Sequence, residues 1–156
     1  MYLTAKIRPE YIKYKKEGFY VFNASLLSLI EYNSEKNNAP KEKEKITVVG
    51  TFKEDPITAG QTYLVSGIWE QSKWGMRLKA DGIIPVIPDT KEEILHFLSS
   101  GIIKGVKEAT AKKLIDSFGK DTFKVIEDTP EKLIQVKGIG KTTSEKIVNS
   151  YLEQKS

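Results

Sequence analysis

With 156 residues, 29% of them charged and 39% hydrophobic, the chain is long enough for one ordinary domain or two small ones and has the composition of a soluble globular protein. It contains no cysteine and a single histidine, His96, which excludes disulfides, a thiol nucleophile and any cysteine- or histidine-rich metal centre. A net charge of +4 does not by itself establish nucleic-acid binding, so the placement of the lysines matters more than their sum.

Residues 1–88 read as strands. Tyr2 to Tyr14, Gly18 to Leu27, Ile46 to Phe52, Gln61 to Glu70 and Trp74 to Ile84 are rich in Val, Ile, Tyr, Phe and Trp. Turn signals separate them at Lys16-Glu17-Gly18, Asp55-Pro56, Ala59-Gly60 and Ser72-Lys73. Phe19 to Ile30, preceded by Lys13, Lys15 and Lys16, imitates a secretory signal. It contains Asn23, however, and runs into Glu31-Tyr32-Asn33 without a small-x-small cleavage site. It is also too short to span a bilayer. The segment is therefore expected to be a buried strand and the protein cytoplasmic. Asn33 to Lys45 is polar and low in complexity, the pattern of a mobile loop. Five strands with few helices between them predict a small barrel of the oligonucleotide-binding (OB) type, although a five-stranded meander would leave a similar pattern.

Residues 89–156 read as all-α, after a boundary marked by Pro85 and Pro88. Thr90 followed by Glu93 predicts a capping box opening a helix through Ser99. A second helix is expected over Ala109 to Phe118, with Gly119 as a left-handed C-cap. Asp121 would cap a short helix through Glu127, and Thr129-Pro130 would cap another over Glu131 to Gln135. A last helix is expected from Lys141 to about Glu153. The fold class is thus α+β, an OB-like β domain followed by a helical one.

The helical half contains a thirteen-residue repeat: IKGVKEATAKKLI begins at Ile103, and VKGIGKTTSEKIV begins 33 residues later at Val136. Each copy runs from a β-branched residue through Lys and Gly to a second β-branched residue and a helix-forming stretch. A small residue (Ala111, Ser144) and an aliphatic one (Leu114, Ile147) recur at matching positions. A glycine-bearing turn that opens into a helix exposes unpaired N–H groups at the positive end of the helix dipole, which is an anion site. Two such sites would suit a polyanion. Lys104, Lys107, Lys112, Lys113, Lys137, Lys141 and Lys146 crowd the repeats, while Asp121, Glu127, Asp128 and Glu131 lie between them. The bland alternative is an αα-hairpin with a glycine C-cap and no ligand.

Candidate phosphate contacts are Lys104, Gly105, Val106, Lys107 and Thr110 in the first copy. In the second they are Lys137, Gly138, Ile139, Gly140, Lys141, Thr142 and Thr143. Gly138 and Gly140 are expected to permit a tight turn and close backbone approach, with Ile139 pinning it to the core. Lys107 stands where the second glycine belongs, and a lysine there resists positive φ. Gln135 to Thr142 imitates a nucleotide-binding P-loop, but it lacks a glycine at Gln135 and follows a helical stretch. Tyr20, Phe22, Trp69, Trp74 and Arg77 are split between core filling and a base-stacking platform, with Trp74 and Arg77 as the stacking candidates. His96 is expected to be structural. The acidic residues show no spacing that argues for an acid/base pair or a metal site.

Leu133, Val136, Gly138, Ile139, Gly140, Ser144 and Ile147 resemble the helix-hairpin-helix motif, whose hairpin is Gly-aliphatic-Gly. More broadly, the chain resembles the N-terminal region of RecD-like (RecD/TraA type) ATP-dependent DNA helicases. The resemblance lies in Gly18-Phe19-Tyr20-Val21, Thr47-Val48-Val49-Gly50, Gly60-Gln61-Thr62-Tyr63 and Trp74-Gly75-Met76-Arg77. It continues through Leu98 to Gly105, Phe118 to Thr122 and Gly138-Ile139-Gly140. It implies tandem helix-hairpin-helix units that bind DNA, duplex or at a single/double-strand junction, without reading sequence, in DNA repair or recombination near the nucleoid. It also implies that ATP and magnesium belong to motor domains not contained in these residues, which would be partners in the same parent chain. The chain would then be an N-terminal fragment or a stand-alone relative, without cofactor, metal or catalysis of its own. Two alternatives stay open: a junction-binding protein resembling RuvA, which shares the order of modules, and a protein-interaction module docking a helicase or repair partner.

Overall fold

The computed structural model describes residues 2–33, 39–53 and 56–155. The chain divides into two compact units, Met1–Ile87 and Pro88–Ser156. The first is built from β1 (Tyr2–Lys16), β2 (Phe19–Tyr32), β3 (Lys45–Thr51), β4 (Tyr63–Ser72) and β5 (Gly75–Pro85). They close into a barrel of order β1-β2-β3-β5-β4, antiparallel at every described pairing except the parallel β3–β5 seam. Closure removes the open edges that a meander would have kept, and the arrangement is consistent with an OB-like barrel. The expected loop at Asn33–Lys45 and the turn at Asp55-Pro56 fall partly outside the described residues.

Period-2 alternation decides which side chains fill the barrel. Tyr20, Phe22, Ala24 and Leu26 of β2 point inward beside Leu3, Ala5 and Ile7 of β1, Val48 of β3, Val65 and Trp69 of β4, and Leu78 of β5. Burying side chains of this size stabilises by about 1.5–3 kcal/mol each. Pro9 is tolerated inside β1 because the ladder is broken there: Pro9 pairs with Ala24 and Tyr11 with Asn23, leaving Glu10 as an extra residue. Glu10 uses that position to accept from Ser25 Oγ at 2.6 Å and to pair with Arg8 and Lys45, which ties three strands together.

A second bulge lies between β4 and β5, where Ser66 faces Gly82 but Gly67 faces Ala80, so Asp81 is the extra residue. The strands approach so closely there that a Cβ at Gly67 would overlap the Lys79 carbonyl oxygen and lie 2.6 Å from Ala80 Cα.

The second unit contains α1 (Lys91–Ser99), α2 (Glu108–Phe118), α3 (Thr122–Asp128) and α4 (Lys141–Lys155), with short 3-10 segments at Gly119–Asp121 and Pro130–Gln135. Ile94, Leu98, Ile103, Leu114, Ile126, Leu133 and Ile147 form a core of their own. Thr90 caps α1 by accepting the Glu93 N–H at 3.1 Å, and its hydroxyl donates to the Glu93 carboxylate at 2.9 Å.

Three expectations at helix ends need correction. Gly119 has a positive φ of 56° but a ψ of −134°, outside the left-handed helical region, because the chain passes straight into a 3-10 turn. Asp121 makes no side-chain cap bond; the Thr122 hydroxyl closes that junction by donating to the Gly119 carbonyl at 2.7 Å. Pro130–Gln135 is 3-10 rather than α, since the Lys132 N–H reaches the Thr129 carbonyl at 3.0 Å and Val136 reaches Leu133 at 3.1 Å.

The Gly67 approach yields a test of the barrel. Gly67→Ala should cost about 3 kcal/mol, since backbone stands on the colliding side and cannot repack. Gly82→Ala, with no described atom within 4 Å of the new methyl, should stay within about 0.5 kcal/mol. Urea unfolding followed by the emission of the buried Trp69 measures both; equal midpoints would refute the close approach.

Candidate nucleic-acid interface

The two repeats take equivalent conformations. Gly105 and Gly138 both have positive φ, 86° and 94°. Only glycine enters that region without strain, so these glycines set the turns. On either side of them Ile103 and Val106, like Val136 and Ile139, are buried and pull each turn onto the core. The helices that follow open with matching bonds, Ala111 N–H to Lys107 O at 2.8 Å and Ser144 N–H to Gly140 O at 2.9 Å. Ala111 and Ser144 are buried at the same position of each helix, as are Leu114 and Ile147.

The first turn is seated against α4, and the second is reached by a lysine tip from α2. A Cβ at Gly105 would lie 3.5 Å from Lys146 Cβ and 3.7 Å from Ile147 and Thr143 of α4. A Cβ at Gly138 would lie 3.3 Å from Lys113 Nζ of α2. Lys113 and Lys146 are themselves equivalent, 33 residues apart. This reciprocity is what an approximate two-fold axis between the repeats would produce.

Gly140 does not adopt positive φ, contrary to the expectation for a second hairpin glycine, and no described atom lies within 4 Å of a Cβ built there. Its counterpart Lys107 has φ −106°, an ordinary extended conformation. The Gly-to-Lys difference between the repeats is therefore one of access and charge, without backbone strain.

The candidate contacts divide into usable and spent groups. Lys104, Lys107, Lys137, Lys141 and Thr142 are exposed, Thr110 and Thr143 are half-buried, and the backbones of Gly105, Gly138 and Gly140 are open to solvent. Val106 and Ile139 bury their side chains, and the Ile139 N–H is committed to the Val136 carbonyl at 3.0 Å. The Lys104 N–H is likewise committed to Ser150 Oγ at 2.9 Å. What remains for an anion at the second turn is the first turn of α4, where Lys141, Thr142 and Thr143 precede any intrahelical acceptor and no acidic residue intervenes. At the first turn Glu108 occupies the opening position of α2, paired with Lys112 at 3.3 Å. Of the two helix openings, that of α4 carries no acidic residue in its first turn, whereas that of α2 does. Lys113, whose ammonium lies over the second turn, was not among the expected contacts because spacing alone could not reveal a side chain delivered by the other repeat.

The stacking candidates in the barrel have separate fates. Tyr20, Phe22 and Trp69 are core, whereas Trp74 is 71% exposed in the turn between β4 and β5. Arg77 is engaged by Glu70, its Nε and one terminal nitrogen reaching Oε2 at 3.2 and 3.1 Å. His96 is exposed in the last turn of α1.

The chain is 27% identical over 140 residues to the ATP-dependent RecD2 DNA helicase of Deinococcus radiodurans. The match covers 88% of this chain but only 18% of that helicase. It supports a distant RecD-like relationship. No protein-family profile matches the chain, and no solved structure gives a significant match. No helix among the described residues is long and apolar enough to cross a membrane.

The helix bearing the second turn is fastened at its far end. Tyr151 of α4 donates to Glu127 of α3 at 2.6 Å, Lys155 pairs with the same carboxylate oxygen at 2.8 Å, and the Tyr151 ring stacks on Phe123. Lys155 and then Tyr151 hold the Glu127 carboxyl below its ordinary value of 4.5. Burial, followed by the bond to Glu127, pushes the Tyr151 hydroxyl above its ordinary 10.0. The signs differ. A lowered carboxyl pKa gives stability that is present above 4.5 and lost as pH falls through the folded value. A raised phenol pKa gives stability that is present below 10 and lost as pH rises beyond it. Thermal melts followed by helical circular dichroism should therefore show both limbs; Glu127→Gln should flatten the acid limb and Tyr151→Phe the alkaline one. An unchanged pH profile in both variants would show that the fastening contributes nothing.

Proposed function

We propose that this chain is a DNA-binding region of a RecD-like ATP-dependent DNA helicase acting in repair or recombination, and that it grips the sugar-phosphate backbone through two helix-hairpin-helix units. The observation that carries the reading is the pair of matching glycine turns, each approached by the helix after the other: Gly105 lies against α4 and Gly138 meets the Lys113 ammonium from α2. A lone capped hairpin would need neither the second copy nor this exchange. The distant similarity to a RecD2 helicase supports the same reading. In it, phosphates meet the N–H groups of Lys141, Thr142 and Thr143, with Lys137 and Lys113 supplying charge, and the first turn contributes through Lys104 and Lys107. Such contacts position DNA without reading bases. The chain itself is a non-catalytic grip; ATP hydrolysis belongs to motor domains elsewhere in the parent protein, and the DNA is duplex or a single/double-strand junction.

The two turns separate experimentally. Gly140→Lys places a side chain between the second turn and its phosphate, and neither φ nor a neighbouring atom opposes it in the fold. Duplex affinity should fall at least tenfold, which corresponds to about 1.4 kcal/mol. Lys107→Gly gives up a charge while opening the backbone, so affinity should change only a few-fold. A folded Gly140→Lys protein that binds one labelled duplex like the parent would end the phosphate reading.

Salt provides the independent check. If about four phosphates are neutralised, log K should fall against log salt with a slope near −3.6. Random duplexes of equal length should bind alike. Salt-insensitive binding to a protein partner, with no duplex binding, would favour an interaction module instead.

A further inference from the structure

Ser150 is a buried polar side chain on α4, outside the candidate DNA contacts. Its hydroxyl accepts the Lys104 N–H at 2.9 Å and donates to the Ile102 carbonyl at 3.2 Å. Both partners belong to the loop that carries the first turn, more than forty residues away in sequence. Gly105 of that turn faces Thr143, Lys146 and Ile147. Together with Ser150 these residues recur at helical spacing along one flank of α4. Apolar contact along such a flank is non-directional and lets a loop slide. Hydrogen bonds are directional, so the Ser150 hydroxyl sets where along the flank the first turn lies.

The same helix continues directly from the second turn, since Gly140 leads into its first residue, Lys141. α4 is thus common to both turns, one at its opening and the other against its flank. The helix itself is held separately. Tyr151, the residue after Ser150, reaches α3, where it bonds Glu127 and stacks on Phe123. The Ser150 bond is not repeated in the other copy. Ser117 stands 33 residues earlier, at the equivalent place of α2. Among the described residues it makes no bond to the N–H of Lys137, the counterpart of Lys104. The first turn is tied by its backbone to the neighbouring helix; the second is met there by the tip of Lys113.

We propose that Ser150 is a positioning residue for the DNA grip: it fixes the offset between the two turns and so favours a rigid duplex over a flexible single strand. The inference rests on the hairpin reading above. Phosphates of a duplex lie at fixed separations, so two contact points serve it together only when their own separation is fixed. A loop ordered before binding need not be ordered by the ligand, which preserves affinity for the ligand that fits. A single strand adjusts its own backbone to whatever spacing it meets. Without the hydroxyl, the Lys104 N–H loses its acceptor and the first turn is released, while the opening of α4 stays as it is.

Hydrogen exchange on the full, unsubstituted chain tests the bond first. The Lys104 amide should be protected and the Lys137 amide should exchange quickly; equal rates would overturn the proposal. Ser150→Ala should then lower affinity for a labelled duplex about fivefold, the effect of one typical hydrogen bond. Affinity for a single strand of equal length should not change. Lys104→Ala should weaken duplex binding in the parent but add nothing in Ser150→Ala, because the released turn no longer presents that lysine. A Ser150→Ala protein that binds duplex like the parent, that loses both ligands alike, or whose effect adds to that of Lys104→Ala overturns the proposal. In each of those cases Gly140→Lys still weakens duplex binding and the hairpin reading stands. If Gly140→Lys and the parent bind duplex equally, that reading ends and this inference ends with it.

Discussion

The organisation of the helical unit depends on two glycines held at positive φ, the first lying against α4 and the second met by the Lys113 side chain from α2. A side chain at either position would strain the backbone, since both turns need positive φ. With the glycines in place, the flanking aliphatic residues can reach the core from both sides of each turn, so the following helix starts with its first N–H groups facing solvent. The presentation of the α4 opening to solvent is thus a by-product of packing. Leu114, Ile147 and the small residues Ala111 and Ser144 let the turns descend far enough for the helix ends to be presented.

The outer face of the barrel follows another rule. Strict alternation assigns one side of β2 and β3 to the core, and the opposite side would ordinarily be polar. Here Val21 and Val49 keep that outer face apolar beside Phe19, Trp74 and Arg77. The bulges at Glu10 and Asp81 let long strands bend around a small circumference. They also explain how β1 tolerates Pro9 and why β5 needs a residue without a Cβ opposite its bend.

Much of this was legible in the residues. The five strands follow from β-branched and aromatic runs bounded by turn signals, and α1, α2 and α4 from caps and helical periodicity. The place of Trp74 beside Gly75, in a tight turn, points to its exposure. What could not be read depends on contacts distant in sequence or on local geometry that composition does not encode. Nothing near Gly140 shows that it would take an ordinary φ while Gly138 alone carries the turn. The Thr129 to Val136 segment has a helical pattern, but whether its N–H groups reach three or four residues back is local geometry that the pattern does not encode. Asp121 is a good capping residue by type, yet the threonine beside it makes the bond. The pairing of Arg77 with Glu70 across a hairpin, and the reach of Lys113 to the second turn, required the folded partner to be seen.

The crossed seating also limits how the repeat can be cut or copied. A peptide ending at Phe118 would retain the whole first turn and its helix but lose Thr143, Lys146 and Ile147, the wall against which Gly105 rests. A peptide beginning at Thr129 would lose Lys113 in the same way. Neither repeat is therefore a minimal unit, although each looks self-contained as a string of letters. A change at Lys146 alters the ground under the first turn and one at Lys113 the ground under the second. The difference between Lys107 and Gly140, by contrast, falls on the outer rim, where the exchange does not reach.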